Sequence, residues 1–115
     1  MSIHEKYNLK FANSVDRDKQ IMKACEFINE MDQTYGMLWY YLIQIQHIEN
    51  ISEILPNLLN ILSGDEPDDY FSSGTTWAHV RLDGTTISHS DGTELTLPTS
   101  DFIEILEEYM KFLKY

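Results

Sequence analysis

A chain of 115 residues with 43% hydrophobic content suits one domain that buries roughly two-thirds of its unfolded surface, and two domains would be starved of core. Its formal net charge is −11, a balance that repels nucleic acid and anionic lipid and draws basic proteins through a long-range, salt-sensitive field. The first residues do not read as a leader, and the longest apolar run, Met37 to Ile43, falls short of the ~20 residues that span a bilayer. A single cysteine, Cys25, excludes an internal disulfide and a thiolate cluster, so the expected setting is soluble and cytoplasmic.

Tyr7, Leu9 and Phe11 alternate with polar neighbours and predict a first strand. Asn13 or Ser14 can cap the next segment, and Asp16 and Asp18 suit the positive end of a helix dipole. Ile21, Ala24, Cys25, Ile28 and Met31 recur at helical spacing, and Gly36 reads as a stop, so a helix is predicted over 14–33. From Met37 to Ile48 the run is β-branched and aromatic, with apolar residues on both faces of its first half. That suits a central strand covered on both sides, or a strand whose second face waits for a partner.

Ile51, Ile54, Leu55, Leu58 and Leu62 form the cleanest helical stripe in the chain. Pro56 is awkward in a helix interior, which moves the expected start to near Ser52, and Gly64 ends the helix. Residues 63–75 carry the loop-forming types and predict the longest loop. Beyond them Ala78, Val80 and Leu82 face one way and Trp77, His79 and Arg81 the other. A two-residue turn at Asp83-Gly84 places Val80 opposite Ile87, whereas a three-residue turn over Ser90, Asp91 and a left-handed Gly92 pairs Ile87 with Leu95. Pro98 closes the meander, Thr99 or Ser100 caps, and Phe102, Leu106, Tyr109 and Leu113 stripe a last helix. The order β-α-β-α-β-β-β-α implies a single α+β domain, with a mostly antiparallel sheet packed against helices.

Charge is the most informative pattern. Between residues 24 and 110 stand sixteen acidic side chains and one basic one, Arg81. The other cations are Lys6, Lys10, Arg17, Lys19 and Lys23 before that segment and Lys111 and Lys114 after it. Asp65, Glu66, Asp68 and Asp69 crowd the predicted loop without the alternating ligands of a calcium loop, and Tyr70 and Phe71 come immediately after them. Aromatics beside carboxylates are a common composition for an interface that meets Arg and Lys. Asp101, Glu104 and Glu108 lie along one face of the last helix, with Glu107 beside them, and Trp77 shares a strand face with His79 and Arg81. Asp83 and Asp91 add charge at the two turns.

Catalytic patterns are lacking. The histidines His4, His47, His79 and His89 show no metal-ligand spacing, and the meander register turns His79 and His89 to opposite sheet faces. Cys25 sits on the apolar stripe as a small core residue, without a base to activate it. No nucleophile elbow or phosphate loop occurs, so the chain reads as a binding protein with no cofactor and no metal, not an enzyme.

The tail from Glu94 to Leu113, Glu-Leu-Thr-Leu-Pro-Thr-Ser-Asp-Phe-Ile-Glu-Ile-Leu-Glu-Glu-Tyr-Met-Lys-Phe-Leu, succeeds a Trp-containing meander. It resembles the C-terminal ends of small bacterial immunity proteins that accompany polymorphic toxins, including those of contact-dependent growth inhibition. The resemblance implies a monomer or weak dimer that binds one basic toxin domain, typically a nuclease, and covers its cationic surface. Such families share no catalytic residues. Two rival expectations are an acidic secretion-effector chaperone, dimeric with an apolar groove near Tyr40 and Leu42, and a DNA mimic whose carboxylates are spaced like phosphates.

Overall fold

A computed structural model describes residues 2–15, 17–45 and 48–114. His47 and Asp16 lie outside the described residues, and with them any role for His47 and the acidic cap expected at Asp16. The elements run α1 (Ile3–Lys6), β1 (Leu9–Val15), β2 (Ile21–Phe27), α2 (Gly36–Gln44), α3 (Ile48–Leu62), β3 (Asp69–Ser73), β4 (Thr76–Arg81), β5 (Gly84–His89), β6 (Glu94–Leu97) and α4 (Thr99–Lys114). They form an α+β domain with two antiparallel sheets, the hairpin β1-β2 and the meander β3-β4-β5-β6.

The N-terminal half differs from expectation in three elements. In place of a helix over 14–33, β2 pairs antiparallel with β1, matching Leu9 to Phe27 and Phe11 to Cys25. The apolar spacing there fits either period, and pairing with a ready strand decides it: Ile21, Ile28 and Met31, three members of the helical stripe, are 72%, 51% and 91% exposed. Asn8, at φ 63°, locks the open end, donating to the Asn29 and Asp32 carbonyls while its Oδ1 accepts the Asn29 N–H at 2.8 Å.

The expected strand over 37–48 is instead helix α2. Leu38, Tyr41, Leu42 and Ile45 are buried at i, i+3, i+4 and i+7, so one helical stripe goes into the core, and Gly36 begins this helix instead of stopping an earlier one. Trp39 ties α2 to the first sheet by donating Nε1–H to the Cys25 carbonyl at 2.8 Å and packing on Phe27. Helix α3 begins at Ile48, earlier than Ser52, and keeps Pro56 in its interior with the ring exposed. Ile51, Leu55, Leu58 and Ile61 are its buried face.

Residues 69–73, expected as loop, form the edge strand β3, in which Phe71 and Ser73 point in and Tyr70 and Ser72 point out. The C-terminal third matches expectation closely. The three-residue turn stands, with Gly92 at φ 92° and Ile87 opposite Leu95. The β4-β5 turn is Leu82-Asp83, one step earlier than expected, so Ala78 instead of Val80 opposes Ile87. That shift moves the pairing by two residues and leaves every side chain on its expected face. Helix α4 buries Phe102, Leu106 and Tyr109 as expected, with Ile103 and Ile105 besides.

One face of the four-stranded sheet carries Phe71, Ala78, Val80, Ile87 and Leu97 into the core under the helices. Tyr41 joins the layers: its ring packs on Phe102 and its hydroxyl donates to the Phe71 carbonyl at 3.1 Å. Among the described residues, no helix covers the opposite face.

Candidate partner-binding face

Strand alternation puts Tyr70 and Ser72 of β3, Trp77, His79 and Arg81 of β4, Thr86 and Ser88 of β5, and Glu94 and Thr96 of β6 on this uncovered face. All are exposed or half-buried, while their in-facing neighbours on β4 are buried. Tyr70 is 62% and Trp77 37% exposed, and Leu82, in the turn after β4, is 59% exposed.

The row is ordered by its own contacts. The Tyr70 ring stacks on His79 at 4.2 Å and 12°. His79 Nε2 lies 2.7 Å from Asp68 Oδ2, and this hydrogen bond holds the Asp68 carboxyl below its ordinary range. Arg81 donates from Nη2 to Thr86 Oγ1 at 3.0 Å, and Thr86 pairs with Thr96 across β5-β6 at 2.9 Å. Arg81 Nε is buried without a hydrogen bond, with Asp83 Oδ1 3.8 Å away. The one cation of the acidic segment is thus held along the sheet, between carboxylates.

The structure sorts the expected contact residues into groups. Asp68, Tyr70, Trp77 and Asp83 lie on or against the open face, and Glu66 borders it in a shallow depression shared with Asp68, Arg81 and Leu82. Asp65 and Glu66 also fasten their loop to the end of α3, accepting from Ser63 Oγ at 3.0 Å and Asn60 Nδ2 at 3.3 Å. Asp69 accepts the Tyr70 N–H at 2.8 Å, at the start of the edge strand. Asp91 looks the other way, toward α2, with its Oδ1 accepting the Thr93 N–H at 2.9 Å and lying 3.1 Å from His89 Nδ1.

Asp101 and Glu108 are engaged inside the molecule. Asp101 Oδ2 accepts the Tyr7 hydroxyl at 2.6 Å and meets Lys6 Nζ at 3.3 Å. Glu108 Oε1 accepts the His4 N–H at 3.1 Å and lies 2.9 Å from His4 Nδ1. These contacts fasten α1 to α4, and of the three expected helix carboxylates only Glu104 points to solvent without such a tie. Sequence reasoning missed Glu94, which shares a hollow with Trp77, and Leu82, which lies beside Asp68 and Arg81 at the other end of β4; the alternation of β4 to β6 and the turn position were the signals available.

His79 and His89 face opposite ways, since His79 pairs with Thr86 and His89 with Thr76; His89 packs edge-on against Tyr40 at 5.3 Å. Cys25 is a core residue whose thiol is pushed up to about 12, by burial first and by Glu26 second. Among the described residues no three His, Cys, Asp or Glu side chains converge as metal ligands, and no helix is long and apolar enough to cross a membrane.

Seven of the eight cations lie on α1, the β1-β2 hairpin and its turn, and the end of α4. Lys23 joins the last two, donating from Nζ to the Phe112 carbonyl at 2.6 Å. Charge is therefore separated by element, with the four-stranded sheet and its flanking loops acidic. Comparisons of the chain with protein-family models, curated proteins and solved structures find no match.

Proposed function

We propose that this chain is an immunity protein, one that binds a cognate basic toxin domain and neutralises it by covering a cationic surface, without performing a reaction. The observation that carries this reading is the uncovered sheet face, where exposed Tyr70 and Trp77 share a hollow with Glu94, and Glu66, Asp68 and Asp83 stand at its Arg81 end. Aromatic anchors inside an acidic rim suit a partner that presents Arg and Lys. Separation of the cations onto other elements gives the molecule an electrostatic direction, which steers a basic partner toward the sheet. The chaperone alternative expects an apolar groove near Tyr40 and Leu42; Leu42 is buried, and the hollow at Tyr40 is lined by Met37, Trp39 and His89.

The test is co-purification with the basic C-terminal domain of a large secreted protein encoded directly upstream, and then association kinetics across salt. Binding should be tight, and salt should slow association more than it speeds dissociation. An on-rate that does not change with salt would remove the steering argument. Failure of the two to co-purify would remove the proposed partner.

A further inference from the structure

The outer edge of β3 is free of any strand among the described residues, since the sheet order begins there. Gly74 and Thr75 make a two-residue turn, with Gly74 at φ 60°, between the paired residues Ser73 and Thr76. Such a turn closes on a hydrogen-bonded pair, and alternation along an antiparallel ladder then makes Phe71–Ala78 and Asp69–Val80 the bonded pairs. The main-chain groups of Tyr70 and Ser72 consequently point out of the sheet. Asp69 Oδ1 occupies the Tyr70 N–H, but the Ser72 N–H and the two carbonyls face a groove.

That groove, of ≈ 400 Å³, runs between the β3 edge and α3. Asn50, Glu53 and Ile54 present one side of α3 to it, and Ile45 and Phe71 give it an apolar floor. Gln44 closes one end, its Oε1 accepting the Thr75 N–H at 2.8 Å. A sheet edge with open hydrogen-bonding groups is a template for another strand, and a groove beside it accepts alternate side chains.

We propose that this groove receives an extended segment of the partner as an added strand, paired to Tyr70 and Ser72. The occupant is a basic segment in which apolar residues alternate with Lys or Arg. Its apolar row enters over Ile45, Ile54 and Phe71, and its cations answer Glu53 on the groove wall and Asp69 at the start of β3. Charge disfavours a second copy of this chain as the occupant, because each copy carries −11. The proposal rests on the function above only in taking the partner to be basic; it adds how that partner is held, next to the open face through Tyr70.

The test uses a peptide of alternating lysine and valine and the same peptide N-methylated at every second backbone nitrogen, in either phase. Charge is equal in all, but methylation of the pairing edge prevents strand addition. The unmodified peptide should slow exchange of the Ser72 amide, and Ser72→Pro should weaken its binding roughly tenfold while Ser72→Ala leaves it unchanged. Should Ser72→Pro fail to fold, Ile54→Glu on the groove wall serves instead, with a similar loss expected. Equal binding of all the peptides, or Ser72 exchange unchanged at saturating peptide, would overturn strand addition and leave the basic-partner reading standing. No binding even at millimolar peptide would also overturn strand addition, with co-purification still judging the function separately. Concentration-dependent dimerisation that protects Ser72 without peptide would assign the groove to a second copy and overturn the proposal.

Discussion

Replacing Tyr7 with Phe removes one hydroxyl and should destabilise the fold far more than a surface change does. The hydroxyl donates to Asp101 Oδ2 at 2.6 Å, in a pair where Tyr7 is 4% exposed and the Asp101 side chain 16% exposed. A hydrogen bond to a charged acceptor contributes ~1.5–3 kcal/mol, because removal leaves the carboxylate short of a partner in a site poor in water. Lys6 Nζ, at 3.3 Å and 61% exposed, reaches the same oxygen and offsets part of the loss. The expected cost is therefore about 2 kcal/mol, or a fall of about 8 °C in Tm for a chain of this size. Urea unfolding monitored by the fluorescence of Trp39, which is anchored on Cys25, measures it. Combining Tyr7→Phe with Asp101→Asn should reveal coupling of roughly 1–2 kcal/mol. Burial, and then the Asp101 hydrogen bond, raise the Tyr7 phenol above its ordinary 10, so its contribution is fully present below pH 10 and is lost only as pH climbs beyond. The Tyr7→Phe penalty should accordingly be the same at pH 6 as at pH 9. A cost within about 0.5 kcal/mol of zero would refute the claim that Asp101 serves α1, and would return that carboxylate to the candidate contact surface.

Three other sites carry expectations of their own. Cys25 should resist alkylation in the folded protein at neutral pH; with its thiol raised from 9.0 to about 12, the folded protein holds that proton where the unfolded chain releases it. Its contribution to stability is intact below pH 9 and is lost as pH rises toward 12, and rapid labelling in native buffer would contradict the burial of that thiol. Gly74→Ala should cost about 1–3 kcal/mol in denaturant melts, because φ is 60° and a Cβ there would overlap the Gln44 side chain. In a carboxyl titration by NMR, Asp68 should titrate below its ordinary 3.8 and move back toward it in His79→Ala. What that lowered carboxyl contributes is present above the ordinary value and is lost as pH falls through the folded one, so the effect is confined to acid.

How much of the fold was legible depends on where the deciding contact lies in the chain. The meander could be read because Ile87 and Leu95 must share a face, and a three-residue turn with a left-handed Gly92 satisfies that constraint where a two-residue turn does not. α4 was equally plain from Pro98 and the stripe through Phe102, Leu106 and Tyr109. The segment 21–31 was not, because Ile21, Cys25 and Ile28 fit a helical face while residues 21–27 also suit a strand paired to Leu9–Val15; the partner strand settled it, and local spacing carries no trace of that. Aromatic bulk in 37–45 suggested a strand, yet Leu38, Tyr41, Leu42 and Ile45 held the helical period throughout. For the candidate face, the alternation that groups Trp77, His79 and Arg81 was readable. The ties of Asp101 to Tyr7 and of Glu108 to His4 span more than ninety residues, and no local pattern announces them.

The most direct measurement is hydrogen exchange of the protein alone and in complex with the basic partner domain proposed above. Slowed exchange should concentrate in β3 and β4, from Asp69 to Arg81, with the β1-β2 hairpin and the end of α4 unchanged. Protection confined to the hairpin and α4, with β3 and β4 exchanging as in the free protein, would contradict the assignment of partner binding to the uncovered sheet.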